Sequence, residues 1–175
     1  ELIVMTNGYT NISKHLDTFK EIDLGEKREG GVNLIIFDAD ETVGDKTDEY
    51  SGLANKRTYL NSFMADNHIQ CHHFLFPNNI YDGCLEDLLK SIATHQEFYL
   101  CWKDMELCLS KYSTFNLPNK KGMIYSYIDS LFDETKSQKE EMKKYQQNKD
   151  FTNAFWDLNS QEIQPLKTFL DIYFN

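Results

Sequence analysis

Three short apolar runs, separated by stretches of helical periodicity, constrain this chain more than any other feature. Leu2–Thr6 (LIVMT), Val32–Asp38 (VNLIIFD) and Ile69–Phe76 (IQCHHFLF) are rich in β-branched or aromatic residues, and turn formers follow each one. That is the pattern of buried strands. Ile12, Leu16 and Phe19 recur at helical spacing between the first two runs, and Leu60, Phe63 and Met64 do so between the second and third. Strands alternating with helices predict βαβ units, and therefore a parallel sheet with right-handed crossovers. The expected fold class is α/β: a small, mainly parallel sheet flanked by helices.

The second half reads as helical. Asp82 is placed to cap a helix running to about Ala93, with Leu85, Leu88, Leu89 and Ile92 on one face. Phe98, Cys101, Met105, Cys108 and Tyr112 form a second stripe. Met123, Ile124, Tyr127, Ile128, Leu131 and Phe132 form a third, and Ile163, Leu166, Phe169, Leu170 and Tyr173 a fourth. All are expected to be core-packing faces. Lys136–Asp150 is polar almost throughout, as in a solvated helix or linker. A length of 175 residues fits one domain with a substantial core, 1–175, in which 94–175 is a helical C-terminal extension.

Charge narrows the partners. Eighteen Lys+Arg against 28 Asp+Glu give a formal charge of −10. Such a chain lacks the basic surface that displaces counterions from nucleic acid, although a local metal-bridged phosphate contact stays open. No apolar run approaches the roughly 20 residues of a membrane span. The start shows no basic region followed by a long apolar stretch, so a cytoplasmic location is expected. Cys71, Cys84, Cys101 and Cys108 form no C-x-x-C pair and are expected as buried, reduced thiols.

In open α/β sheets, ligands bind outside the carboxyl ends of the strands. Here the strand exits are Asn7-Gly8, Asp38-Ala39-Asp40-Glu41, and Pro77-Asn78-Asn79 followed by Asp82-Gly83. All three are polar and all should open on one edge. Asn7, Gly8, Asn78, Asn79 and Asp82 are therefore candidate ligand contacts, with turn formation the competing role. Asp38 and Asp40 can both reach one hard cation if the backbone turns after the first. Mg²⁺ takes one or two protein carboxylates together with waters and substrate phosphates. Glu86, one turn into the following helix, is the candidate third ligand. Such an ion polarises a phosphoryl oxygen or activates water. The competing reading has the two aspartates capping loops or pairing with Lys46 or Arg57. His68, Cys71, His72 and His73 also cluster, but strand neighbours point to opposite faces and cannot easily share a site. No P-loop, G-x-G-x-x-G or serine nucleophile elbow is present, and no catalytic residue is assigned.

Taken together, NLIIFDADE, Arg57, FLFPNN, DGCLEDLL and the tail WDLNSQEIQPLKTFL resemble a bacterial family of unknown function related to the Toprim fold, whose sheet is Rossmann-like. The resemblance covers most of the chain. It implies a domain of the kind found in topoisomerases, primases and nucleases, in which an Asp-x-Asp strand end and a glutamate after the first strand hold Mg²⁺ for phosphodiester chemistry. Asp38 and Asp40 take the Asp-x-Asp position. The glutamate has no match, because Leu2–Thr6 with Asn7-Gly8 looks like the second Toprim strand. The first strand–helix unit is then expected upstream of Glu1, and Glu86 is the candidate substitute. Asp38-Ala39-Asp40-Glu41-Thr42-Val43 also resembles the nucleophile motif of haloacid dehalogenase phosphatases, with Asp38 as phospho-acceptor and Asp40 as acid–base. The next strand, however, ends in Phe76-Pro77-Asn78 without the Ser or Thr that chemistry needs. The Asp129-to-Asp133 spacing mimics its last element, but within a helical pattern.

Two functions from different classes follow. One is a Mg²⁺-dependent protein that binds or cleaves a nucleic-acid phosphodiester. The other is a non-catalytic binding or scaffold module whose acidic site is degenerate, as the missing glutamate and the −10 charge suggest. Exposed edges of so small a sheet also make a homo-oligomer an expectation.

Overall fold

A computed structural model describes Thr6 and residues 8–29, 31–42, 49–131 and 155–174, with 24–29 described by backbone alone. The expected strand Leu2–Thr6, together with Asn7, lies outside the described residues except for Thr6, as does Lys136–Asp150. A 3-10 segment, Tyr9–His15, leads into α1, Leu16–Glu29. Then follow β1 (Leu34–Asp38), α2 (Leu53–Asn67), β2 (His72–Phe76), α3 (Leu85–Ser91), α4 (Glu97–Leu109) and α5 (Lys120–Ser130). A 3-10 turn, Gln161–Ile163, opens α6, Gln164–Phe174. Among the described residues the architecture is mixed α/β, with a small two-stranded parallel sheet flanked by helices.

The strands pair in parallel from Leu34↔His72 to Asp38↔Phe76, so both point their carboxyl ends the same way. Both are shorter than their apolar runs. The amide of Ile69 is taken by Met64 O, closing α2, so the β2 ladder starts only at His72. His68 ends α2 in the left-handed region at φ 55°.

The chain divides into two compact units, Glu1–Leu85 with Pro165–Asn175, and Glu86–Gln164. In the first, Ile12, Ile35, Ala39, Leu60, Phe63, Ile69 and Leu75 form one buried cluster. β2 turns His72 and Phe74 to one side, where Tyr173 and Phe169 of α6 meet them with ring centroids 4.8 and 5.5 Å apart. His73 faces the other way, and its pKa is lowered by burial, then by Arg57 and His72. The expected opposition of the histidines therefore holds.

The second unit is centred on aromatic rings. Trp156 and Tyr127 are almost fully enclosed, with ring centroids 5.3 Å apart. Tyr99 stacks on Tyr127 at 5.3 Å, and burial raises its phenol pKa. The Tyr127 hydroxyl donates to Phe155 O at 3.0 Å and accepts from the His95 amide at 3.2 Å. Met123, Ile124 and Ile128 are buried on the expected face of α5. The α4 stripe is a correction. The helix ends at Leu109, Cys101 and Cys108 are exposed, and Tyr112 is exposed beyond it; Tyr99 is the buried residue of α4. Cys71 and Cys84 are half-buried, and none of the four cysteines is in a disulfide among the described residues. Among the described residues, no helix is long and apolar enough to cross a membrane.

Candidate functional site

The carboxyl ends of β1 and β2 carry a continuous polar network in the first unit. Its backbone is irregular, and each irregularity has a partner. After Asp38, the Ala39 amide continues the ladder to Phe76 O at 3.1 Å. Asp40 then turns into the left-handed region, at φ 64°, a conformation that short polar residues tolerate. Its backbone exchanges two hydrogen bonds with Gly83, at 2.7 and 3.0 Å. The two strand exits are thereby tied to each other.

The carboxylates complete that framework. Asp38 Oδ1 accepts the Leu85 amide at 2.8 Å, at the first residue of α3. Asp82 does not cap its own helix as the sequence suggested. Its Oδ1 accepts the Leu53 amide at 2.7 Å, at the start of α2, and its Oδ2 accepts the Thr42 hydroxyl at 2.9 Å. These bonds, the Leu53 amide first, hold the Asp82 pKa below the usual carboxylate range. The cap of α2 is remote because position 52 is glycine at φ 92° and supplies no side chain. A Cβ at Gly52 would collide with the Thr42 methyl and lie 3.3 Å from Asp82 Oδ2, so that position must stay bare.

Asp40 meets a residue that the sequence reading passed over. Lys56 Nζ donates to Asp40 Oδ2 at 2.8 Å; the lysine side chain is 1% exposed and the aspartate side chain 45%. The same ammonium lies 3.7 Å from the centroid of the Tyr9 ring, a cation–π contact. Tyr9, Tyr50 and Tyr59 pack on one another with centroids 4.7 to 5.9 Å apart. On the competing reading the aspartates pair with Lys46 or Arg57. Lys46 lies outside the described residues, and Arg57 donates instead to Asn79 O at 2.7 Å and Asn79 Oδ1 at 3.3 Å. One signal for Lys56 was present: it stands four residues before Leu60 and seven before Phe63, the other buried residues of α2.

The asparagines shape the loop. Asn79, at φ 62°, donates its amide to Leu75 O at 2.7 Å and accepts the Leu75 amide at 3.3 Å. Asn78 Oδ1 accepts the amides of Ile80 and Tyr81, both at 3.1 Å. Gly8, at φ 113°, precedes the 3-10 segment and its carbonyl accepts the Asn11 amide.

Glu86 belongs to the second unit. It is 6% exposed and lines a cavity of about 10 Å³ with Leu89, Lys121, Ile124, Tyr125, Ile128 and Trp156. Among the described residues, no three His, Cys, Asp or Glu side chains converge to hold a metal ion. Asp38 spends one oxygen on a backbone amide and Asp40 one on an ammonium. Among the described residues, no carboxylate cage for Mg²⁺ is therefore assembled. Of the haloacid dehalogenase elements, Asp129 lies on α5 in the second unit, and Asp133 is outside the described residues.

Compared with known proteins, the chain matches no family model, no curated protein and no solved structure.

Proposed function

We infer that this chain is a non-catalytic binding module, with a Toprim-like sheet edge whose acids serve architecture in place of a cation. One observation carries the reading. Asp38 and Asp40 each direct a carboxylate oxygen to a protein donor at 2.8 Å, the Leu85 amide and the Lys56 ammonium. A divalent ion at the other oxygen of Asp40 would share one carboxylate with the buried Lys56 ammonium, and an ion that displaced Lys56 would leave an ammonium buried without its carboxylate. Uncompensated burial of that kind costs several kcal/mol.

The reading is tested by calorimetric titration of Mn²⁺ and Mg²⁺ into the wild type and the Asp38→Asn/Asp40→Asn variant, with nicking assays on supercoiled DNA and structured RNA. Equal, weak binding in both proteins and no nicking are expected. Stoichiometric Mn²⁺ binding that the variant loses would restore the Mg²⁺-dependent phosphodiester function. A trapped aspartyl-phosphate at Asp38 would replace both readings with a phosphatase.

A further inference from the structure

Helix α4 is packed on one side only. Tyr99 is its buried residue, while Leu100 and Leu107 on the other side are each more than half exposed. Their stripe also carries Asp104 and Lys111, so that Leu100, Asp104, Leu107 and Lys111 follow one another at spacings of four, three and four residues. That is the repeat of a helix that packs along another helix. Lys111 lies just past α4, but the chain still curls there: the Lys111 amide reaches Cys108 O at 3.3 Å and the Tyr112 amide Leu109 O at 3.0 Å. The thiols of Cys101 and Cys108 lie about 100° further round the helix, beside the stripe. Beyond it, Tyr112, Phe115 and Leu117 are again more than half exposed, and the first two rings pack edge to face with centroids 6.1 Å apart.

The size and charge of this surface suit a second copy of the chain. The five apolar side chains leave roughly 500 Å² open, toward the top of what a monomer shows and more than half of what each partner of a standard interface buries. Residues 100–119 hold two lysines and two acids, so this stretch is neutral in a chain of charge −10. Asp104 and Lys111 are exposed, and neither side chain has a hydrogen bond or ion pair among the described residues. A copy laid antiparallel, with the two-fold axis beside Leu107, brings each Asp104 to the other copy's Lys111 and sets the two Leu107 side chains together at the centre. The Leu100 end of each helix then meets the other copy's segment from Tyr112 to Leu117. A parallel copy would set aspartate on aspartate and lysine on lysine, which is unfavourable.

We propose that this face of α4, with the segment to Leu117, joins two copies of the chain in an antiparallel, two-fold dimer. The surface lies in the second unit, and the proposal does not rest on the binding-module reading of the strand exits.

Sedimentation equilibrium of the full chain tests it. The wild type should be dimeric at roughly 100 µM. Leu100→Ser/Leu107→Ser should raise the dissociation constant about tenfold or more, the loss typical of removing anchor residues. Both leucines are exposed, so the variant should keep the wild-type circular dichroism. Asp104→Lys sets lysine against Lys111, and should weaken the dimer about fivefold, less so as salt rises. Asp104→Lys/Lys111→Asp should return the dissociation constant to the wild-type value, because the antiparallel pairs are then restored with their signs exchanged. A wild type that stays monomeric at roughly 100 µM overturns the proposal. So does a dimer that the leucine variant leaves intact, which assigns self-association to another surface such as the sheet edge. A double charge variant that dimerises no better than Asp104→Lys overturns the antiparallel pairing, and with it the proposal. The Mn²⁺ titration of the strand exits is an independent readout: the dimer-breaking variants should respond to the ion as the wild type does, whichever way that titration falls.

Discussion

The sheet edge of the first unit and the aromatic centre of the second face the same difficulty: irregular backbone must not be left without partners. At the sheet edge, carboxylates supply them. Asp38 takes the Leu85 amide and Asp82 the Leu53 amide. In the second unit the chain meets itself. Ala93 bridges Trp156, the Asp157 amide reaches Ile92 O at 2.6 Å, and the Tyr127 hydroxyl serves Phe155. A charged acceptor suits a rim that water reaches, because the carboxylate keeps part of its hydration there. A neutral phenol suits a packed centre, where an ion would be costly. Acidic strand exits are therefore weak evidence for a metal when nearby helix starts lack caps of their own.

The largest effect should come from breaking the charge pair on its exposed side. Asp40→Ala leaves the Lys56 ammonium buried with only the Tyr9 ring, and should cost about 3–5 kcal/mol in urea unfolding. Lys56→Met keeps the buried stem and lets a half-exposed Asp40 return to water, at about 1 kcal/mol. Equal costs would break the claim that the two partners differ in burial.

Tyr127→Phe tests the other region. It removes the donor to Phe155 O and the acceptor of the His95 amide while preserving ring packing, and should cost about 1–3 kcal/mol. A neutral result would mean that packing alone supports that centre.

Asp82→Asn should act mainly through pH. The folded pKa of Asp82 is depressed below its unfolded value of about 3.9. Its stabilisation is therefore present above the unfolded value and is lost as pH falls through the folded one. Acid titration of the melting temperature should show a shallower decline in Asp82→Asn than in the wild type. Parallel curves would detach Asp82 from the cap of α2.

The smallest effect is chemical. Burial first, and the Asp23 charge second, push the Cys71 thiol up to about 12. Cys101 and Cys108 are exposed on α4. Maleimide labelling of the native protein should modify those two first and Cys71 far more slowly. Rapid labelling of Cys71 would contradict its place beside the first-unit core.

The parallel pairing of β1 with β2 was legible because both runs are dense in β-branched and aromatic residues and a helix-length segment separates them. The buried face of α5 was legible from its spacing. The α4 stripe misled, since Phe98, Cys101, Met105, Cys108 and Tyr112 repeat as a core face does while Cys101, Cys108 and Tyr112 meet solvent. Periodicity marks a face without stating that anything covers it. At the site, the sequence located the edge but not the partners. Asp82 lies next to α3 in sequence and caps α2 through space, and Lys56 sits between Asn55 and Arg57, in a polar stretch that reads as solvent-facing. Such pairings depend on where the loops return, which local spacing does not encode.

The strand-exit acids, on this reading, are structural. Melting temperatures of the wild type, Asp38→Asn and Asp40→Asn, each measured in EDTA and in Mn²⁺, test it most directly. Both variants should melt below the wild type, each by the same margin in either solution. A wild type that gains stability in Mn²⁺ while the variants do not would contradict it.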